Sequence, residues 1–174
     1  FTSKGHEKLS AVSTYTVLED VYAEVLIYKN LLTNYNKPNQ GTLAYSSKKI
    51  LFSNPGYHTI QIDNPVSLIP DEIFSVVIRF SNEADVLYVA AEYEETTNIY
   101  SSKPRQGYVD TSGTNSYWAD MTSFVGWDNV CIQAFTECDH LACEVVTPST
   151  CEANGFALTY CLQCGKELDA YETA

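Results

Sequence analysis

Basic residues are scarce in this sequence: ten Lys and Arg stand against 22 Asp and Glu, a formal charge of −12 at pH 7. A chain this acidic repels phosphate, so neither nucleic acid nor an anionic membrane surface is an expected partner. Long hydrophobic runs are missing too. No stretch approaches the roughly 20 apolar residues that a membrane-spanning helix needs, so membrane insertion is not expected. The opening FTSKGHEKLS lacks the layout of a signal peptide. No apolar 3.6-residue period of useful length is found, which leaves no helix to predict, and no internal repeat of fixed period is present. Cysteine is absent from the first 130 residues, and five of the six lie in the last 37. A disulfide framework is therefore excluded for most of the chain, and the tail stands apart.

What is present suits a folded domain with a small appendage: 174 residues, 45% apolar, with 13 Tyr and 7 Phe. A body of this size buries roughly two thirds of its unfolded surface. The chain opens without Met and enters a strand almost at once, so a fragment of a longer protein is expected.

The strands are legible by alternation. Leu9, Ala11 and Ser13 oppose Ser10, Val12 and Thr14 in a first strand. In a second, Ala23, Val25 and Ile27 oppose Tyr22, Glu24, Leu26 and Tyr28. The segment 30–41 is an Asn-rich loop. Further strands are expected over 42–52, over Tyr57 to Ile62 closed by Asn64-Pro65, over Phe74 to Phe80, and over Val86 to Tyr93. From Gly107 to Thr136 the pattern is strand, polar turn at Asp110 to Gly113, strand at Ser116 to Trp118, loop, and a closing strand over Val130 to Phe135. About eight short strands between Gly, Pro, Asn and Ser turns predict an all-β fold: an antiparallel β-sandwich, jelly-roll-like.

Catalytic constellations find little footing. Cys131 sits inside an apolar strand, with neither a helix terminus nor an imidazole implied beside it to lower its pKa, and packing is the commoner role for such a cysteine. Glu92, Glu94, Glu95, Asp110 and Asp120 have no spacing that sets a carboxylate pair across a cleft, so a solvated acidic rim is the expectation. Asp110, Ser112 and Asp120 are of the type that holds structural Ca²⁺ in an oxygen-rich turn, although EF-hand spacing is absent. Aromatic residues crowd the second half of the body. Sugars stack their C–H faces on such rings while hydroxyls meet Asp, Asn and Gln, which makes Tyr93, Tyr100, Tyr108 and Trp118 the carbohydrate-binding candidates; core packing is the competing role for each.

The segments GHEKLSAVSTYT, VYAEVLIYKN, GTLAYSSKKILFSNPGYHTIQIDNPVSL, FSVVIRF, GYVDTSGTNSYWADMTS and NVCIQAFT occur in one order over about the first 137 residues. That order and spacing resemble the lectin-like domain found beside papain-like cysteine peptidases in secreted and cell-wall proteins of Gram-positive bacteria. The resemblance implies a non-catalytic sandwich similar to carbohydrate-binding modules, with calcium in some members. The Cys-Gly-x-Cys-Trp element of the peptidase itself is missing.

The tail, 138–174, holds Cys161-Leu162-Gln163-Cys164-Gly165, a C-x-x-C-G knuckle in which two thiolates converge on one metal and glycine relieves the backbone. Five tail cysteines cannot all pair among themselves. A zinc site of His140, Cys151, Cys161 and Cys164 leaves Cys138 and Cys143 to bridge each other; Cys138, Cys143, Cys161 and Cys164 form a ribbon-like alternative with Cys151 left over; a purely disulfide-stapled appendage is the third choice. The tail also resembles a Cys/His-rich repeat of bacterial surface proteins, matched here by His140, Thr150-Cys151-Glu152 with Gly155, and Thr159-Tyr160-Cys161 through Gly165. Cys143 departs from that repeat. Any zinc held by four protein ligands is structural, since no position stays open for substrate.

The expectation is therefore a sandwich over 1–137 and a Cys/His mini-domain built on a β-hairpin over 138–174. Together they form a non-enzymatic, extracellular module, secreted or cell-wall associated, that binds polysaccharide or cell-surface glycan and targets or anchors a larger protein. The competing expectation is a protein-interaction or spacer domain packed against neighbouring domains of the parent protein.

Overall fold

A computed structural model describes residues 1–84, 87–93, 107–124 and 127–174, without the side chains of Tyr93 and Trp127. The described residues are all-β apart from one 3₁₀ turn. The first sheet orders β11 (Ile132–Cys138), β1 (Glu7–Thr16) and β5 (Gly56–Leu68), all antiparallel. The second is centred on β2 (Val21–Lys29). One edge of β2 pairs with β3 (Thr42–Ser46) and β4 (Ile50–Phe52), the other with β6 (Ser75–Ser81).

The two sheets close on one core. Leu9, Val12, Ile60 and Leu68 from the first sheet meet Val25, Ile27 and Val76 from the second, with Phe74 beside them. The alternation expected in β2 holds here, since Val25 and Ile27 face this core together. In β1 it does not: Leu9 and Val12, three apart, share the core face. The pairing with β11 shifts between Leu9 and Ala11, so that Ser10 is an extra residue. Such a bulge inverts the face of every residue beyond it. Opposite it, β5 pairs Val66 with Leu9 and Gln61 with Ala11, so the irregular stretch absorbs Asn64 and Pro65 and the strand runs on to Leu68. Proline is tolerated at such a break because no ladder hydrogen bond is asked of it there.

The outer face of the second sheet is also covered. Leu26, Tyr28 and Val77 pack with Leu31, and against them lie Tyr35, Ile73 and Trp118. The loop that follows β2 thereby meets the loop that carries Trp118, and Asn39 Nδ2 donates to the Asn115 carbonyl at 3.2 Å. The remaining short elements of this part are β7 (Ala91–Tyr93), β8 (Tyr108–Val109), β9 (Ala119–Asp120), the 3₁₀ turn Met121–Ser123 and β10 (Trp127–Val130). The strand expected over Val86 to Tyr93 is shorter: Ala91–Tyr93 pairs with β10, Val89 makes only an isolated bridge to Thr16, and Val86 lies outside the described residues. The arm expected at Ser116 to Trp118 pairs instead at Ala119–Asp120.

After Cys138 the chain turns into a separate three-stranded antiparallel sheet of β12 (Ala142–Thr147), β13 (Gly155–Cys161) and β14 (Glu167–Thr173), one strand more than the expected hairpin.

Candidate binding cleft and metal centre

A cleft of about 1250 Å³ runs along the free edge of β6, walled by β8, β10 and the loop from Asp110 to Trp118. Its lining includes Tyr35, Tyr108, Asp110, Trp118 and Asn129. The rings of Tyr35 and Tyr108 stand 6.1 Å apart and tilted by 50°. Two of these lining residues carry a buried polar atom without a hydrogen-bond partner among the described residues, the indole Nε1 of Trp118 and Oδ1 of Asn129. Buried polar atoms are nearly always satisfied, so a donor and an acceptor left open beside one cleft point to something that completes them. The amide nitrogen of Asn129 is engaged, donating to Glu92 at 3.3 Å. Tyr108 and Trp118, read from sequence as carbohydrate-binding candidates, both lie here. Tyr100 and the side chain of Tyr93 lie outside the described residues. Tyr35 and Asn129 were not singled out from sequence, because nothing local distinguishes a loop Tyr or a strand Asn that lines a cleft.

Asp110 organises the loop. Its carboxylate accepts from the N–H of Ser112 at 2.8 Å and of Ser116 at 2.9 Å, from Tyr117 N–H, and from the Ser112 hydroxyl. The Ser112 hydroxyl bond, with the three N–H groups, holds the carboxyl below its ordinary value. Asp120 caps the 3₁₀ turn, accepting from Thr122 N–H at 3.0 Å and its hydroxyl at 2.8 Å. Both acids are thus spent on neighbouring donors, and calcium at Asp110, Ser112 and Asp120 gains no support from this arrangement.

Cys131, half-buried, also lines the cleft. Burial, and then the negative charge of Glu92, push the Cys131 thiol up. His58 pairs with Thr14, whose other neighbour is Ile132, so the backbone of His58 lies two strands, about 10 Å, from the residue after Cys131. Its Nε2 lies 2.8 Å from the Thr16 hydroxyl and its ring stacks on Phe52.

The second constellation is in the tail. Cys138, His140, Cys161 and Cys164 bring their ligand atoms within 4.8 Å of one another. Each is placed by a different local device. Cys138 is the last residue of β11, paired with Glu7. His140, two residues on, takes φ 45°, an uncommon left-handed conformation for a non-glycine that turns the chain out of the sandwich. Cys161 ends β13, and Cys164 follows in the knuckle, released by Gly165 at φ 71°. Cys138 Sγ stands 3.6 Å from Cys161 Sγ, and Cys164 Sγ stands 3.5 Å from His140 Nδ1. A disulfide needs about 2.0 Å. Zinc with bonds of about 2.3 Å to sulfur and about 2.0 Å to nitrogen places tetrahedral ligands about 3.8 Å (S···S) and about 3.5 Å (S···N) apart, close to these separations. Burial alone would raise the Cys161 thiol, but the N–H of Cys164, His140, the N–H of Gln163 and Cys138 outweigh it and bring it to about 6.

The set differs from the first sequence expectation by one residue, since Cys138 stands where Cys151 was expected. The hairpin explains why. Ala142 pairs with Cys161 at one end and Thr147 with Phe156 at the other, a span of about 17 Å. Cys151 lies in the turn beyond that far end, exposed, whereas Cys138 is already at the knuckle. Cys143 pairs with Tyr160 and stays outside the group, and no bridge joins it to Cys138.

The profile of the family described as "Lectin like domain" matches residues 1–136. No curated protein and no solved structure matches the chain.

Proposed function

The chain belongs to the lectin-like domain family, and on that premise we propose that it is a non-catalytic binding module whose ligand is a carbohydrate held in the β6 cleft. The observation that carries this reading is the pair of open polar atoms, Trp118 Nε1 and Asn129 Oδ1, set beside the aromatic rings of Tyr108 and Tyr35. A sugar presents both halves of the complement: apolar C–H faces for the rings, and hydroxyls that accept from an indole N–H and donate to an amide oxygen. The alternative of a catalytic cleft is disfavoured by the engaged states of Asp110 and Asp120, the raised Cys131 thiol and the distance to His58. An extracellular setting on a bacterial surface, with the module targeting or anchoring a larger protein, is part of the same proposal and rests on the resemblance to lectin-like domains of secreted and cell-wall proteins.

For the tail the proposal is a structural zinc at Cys138, His140, Cys161 and Cys164. Three thiolates and one imidazole are the donor types zinc prefers, and a full set of four leaves no position for a substrate. When bound, the metal would supply a cross-link; the chain supplies its placement through the Cys138 strand end, the left-handed His140 and the knuckle.

Glycan-array binding by the unmutated chain, repeated with Trp118→Ala and Tyr108→Ala, tests the main reading. Binding to a defined glycan class that both substitutions abolish is the expected outcome. Absence of binding to any glycan would put the protein-interaction or spacer reading in its place.

A further inference from the structure

The cysteine and histidine cluster is spread across a joint. Cys138 belongs to the ladder of the first sandwich sheet, His140 to the connection, and Cys161 and Cys164 to the far side, in the tail sheet. Around them the two parts touch through short polar contacts. The N–H of His6 donates to Gln163 Oε1 at 2.7 Å, the N–H of Asp139 to the His6 carbonyl at 2.9 Å, and Lys8 pairs with Asp139. Gly5 lies so close to the Gln163 side chain that a Cβ there would overlap it. These contacts are exposed or partly so, and exposed polar contacts hold little on their own.

Apolar packing does not make up the difference. Both hydrophobic clusters are built from residues no later than Ala134. In the tail the buried hydrophobic residues, among those described, are Ala157 and Cys161, while Val145, Val146, Phe156 and Tyr171 stay exposed. A unit of about 37 residues without a core of its own needs a staple, and the ligand set offers one that reaches into the sandwich.

We propose that zinc at Cys138, His140, Cys161 and Cys164 acts as a clasp between the sandwich and the tail, so that metal occupancy fixes the direction in which the tail leaves the binding domain. The proposal rests on the zinc reading above and adds to it that the metal couples two parts. A staple internal to the tail would draw all its ligands from β12 to β14 and their turns.

The experiment uses the full chain. Zinc content and affinity are measured for the unmutated protein, Cys138→Ser and Cys151→Ser, and amide hydrogen exchange is compared for zinc-loaded and chelator-treated unmutated protein. The expected result is one zinc per chain, retained in Cys151→Ser and weakened more than about 100-fold in Cys138→Ser, since losing a ligand should exceed the 10- to 100-fold effect of losing a supporting group. Chelation should then speed exchange at His6 and Asp139 by about tenfold or more while the Val12 and Ile27 amides stay protected. Absence of zinc from the unmutated chain would overturn both the zinc reading and the clasp. Zinc kept in Cys138→Ser but lost in Cys151→Ser, or normal zinc binding with exchange at His6 and Asp139 unmoved by chelation, would overturn the clasp and leave zinc in place. The loaded-against-chelated comparison needs no variant to fold.

Discussion

The backbone N–H of His6 donates to the side-chain oxygen of Gln163 at 2.7 Å, joining residues 157 positions apart in sequence. Gln163 is one of the two residues between the knuckle cysteines, so the turn that presents Cys161 and Cys164 is also the turn that touches the first strand of the sandwich. The turn from Cys161 to Cys164 thereby supplies both two members of the cysteine and histidine cluster and the contact to the sandwich.

Replacing Gln163 with Ala removes that acceptor while leaving the four ligands in place. The bond is exposed, so water takes over the His6 N–H and the loss in stability is about 1 kcal/mol or less. Thermal unfolding should barely shift, zinc content should be unchanged, and the His6 amide should exchange faster.

Trp118 has two jobs that a pair of substitutions separates. Its ring packs on the cluster of Leu26, Tyr28 and Val77, and its Nε1 is buried at the cleft wall without a partner among the described residues. Trp118→Phe keeps an apolar ring and removes the donor, so affinity for a glycan identified on the array should fall about tenfold with little change in melting temperature. Trp118→Ala should lower both, as large-to-small changes at packed sites do.

Ile27 is fully buried at the centre of the sandwich core, and Leu43 on neighbouring β3 is half exposed. Ile27→Ala should cost about 2 to 5 kcal/mol in urea unfolding, through lost transfer energy and the cavity left behind. Leu43→Ala should stay near 0.5 kcal/mol. Equal costs would contradict the placement of the core.

Asp110 should give an acid-side transition confined to its loop. Its carboxyl is held below the ordinary range by the Ser112 hydroxyl and the N–H groups of Ser112, Ser116 and Tyr117. With a folded pKa below the unfolded one, its contribution is complete above about pH 3.9 and is lost as pH falls through the lower folded value. The Ser112 and Ser116 amide resonances should therefore hold steady near neutrality and move together only below about pH 4. Movement of those resonances near neutral pH would contradict the hydrogen-bond pattern.

Local chemistry made much of the architecture readable in advance. The alternation of Ala23, Val25 and Ile27 marked β2 because a strand shows one face to the core at every second residue, a property of the backbone that needs no partner. The C-x-x-C-G spacing marked the knuckle for the same kind of reason: two thiols and a glycine at those offsets turn back on themselves wherever they occur. The high content of Tyr, Phe and turn residues, with no apolar period of 3.6, set the fold class.

Tertiary pairing settled the rest. Ser10 becomes a bulge only because β11 and β5 fix the register on both sides of β1, and that inversion puts Val12 beside Leu9 in the core. Cys138 takes the place expected of Cys151 in the cysteine and histidine cluster because the β12 and β13 pairing carries residue 151 to the far end of the ribbon, while the sandwich ladder delivers residue 138 to the knuckle. Both outcomes depend on contacts between residues distant in sequence. Composition and spacing name the residues able to bind a metal or line a cleft; the long-range ladders choose among them.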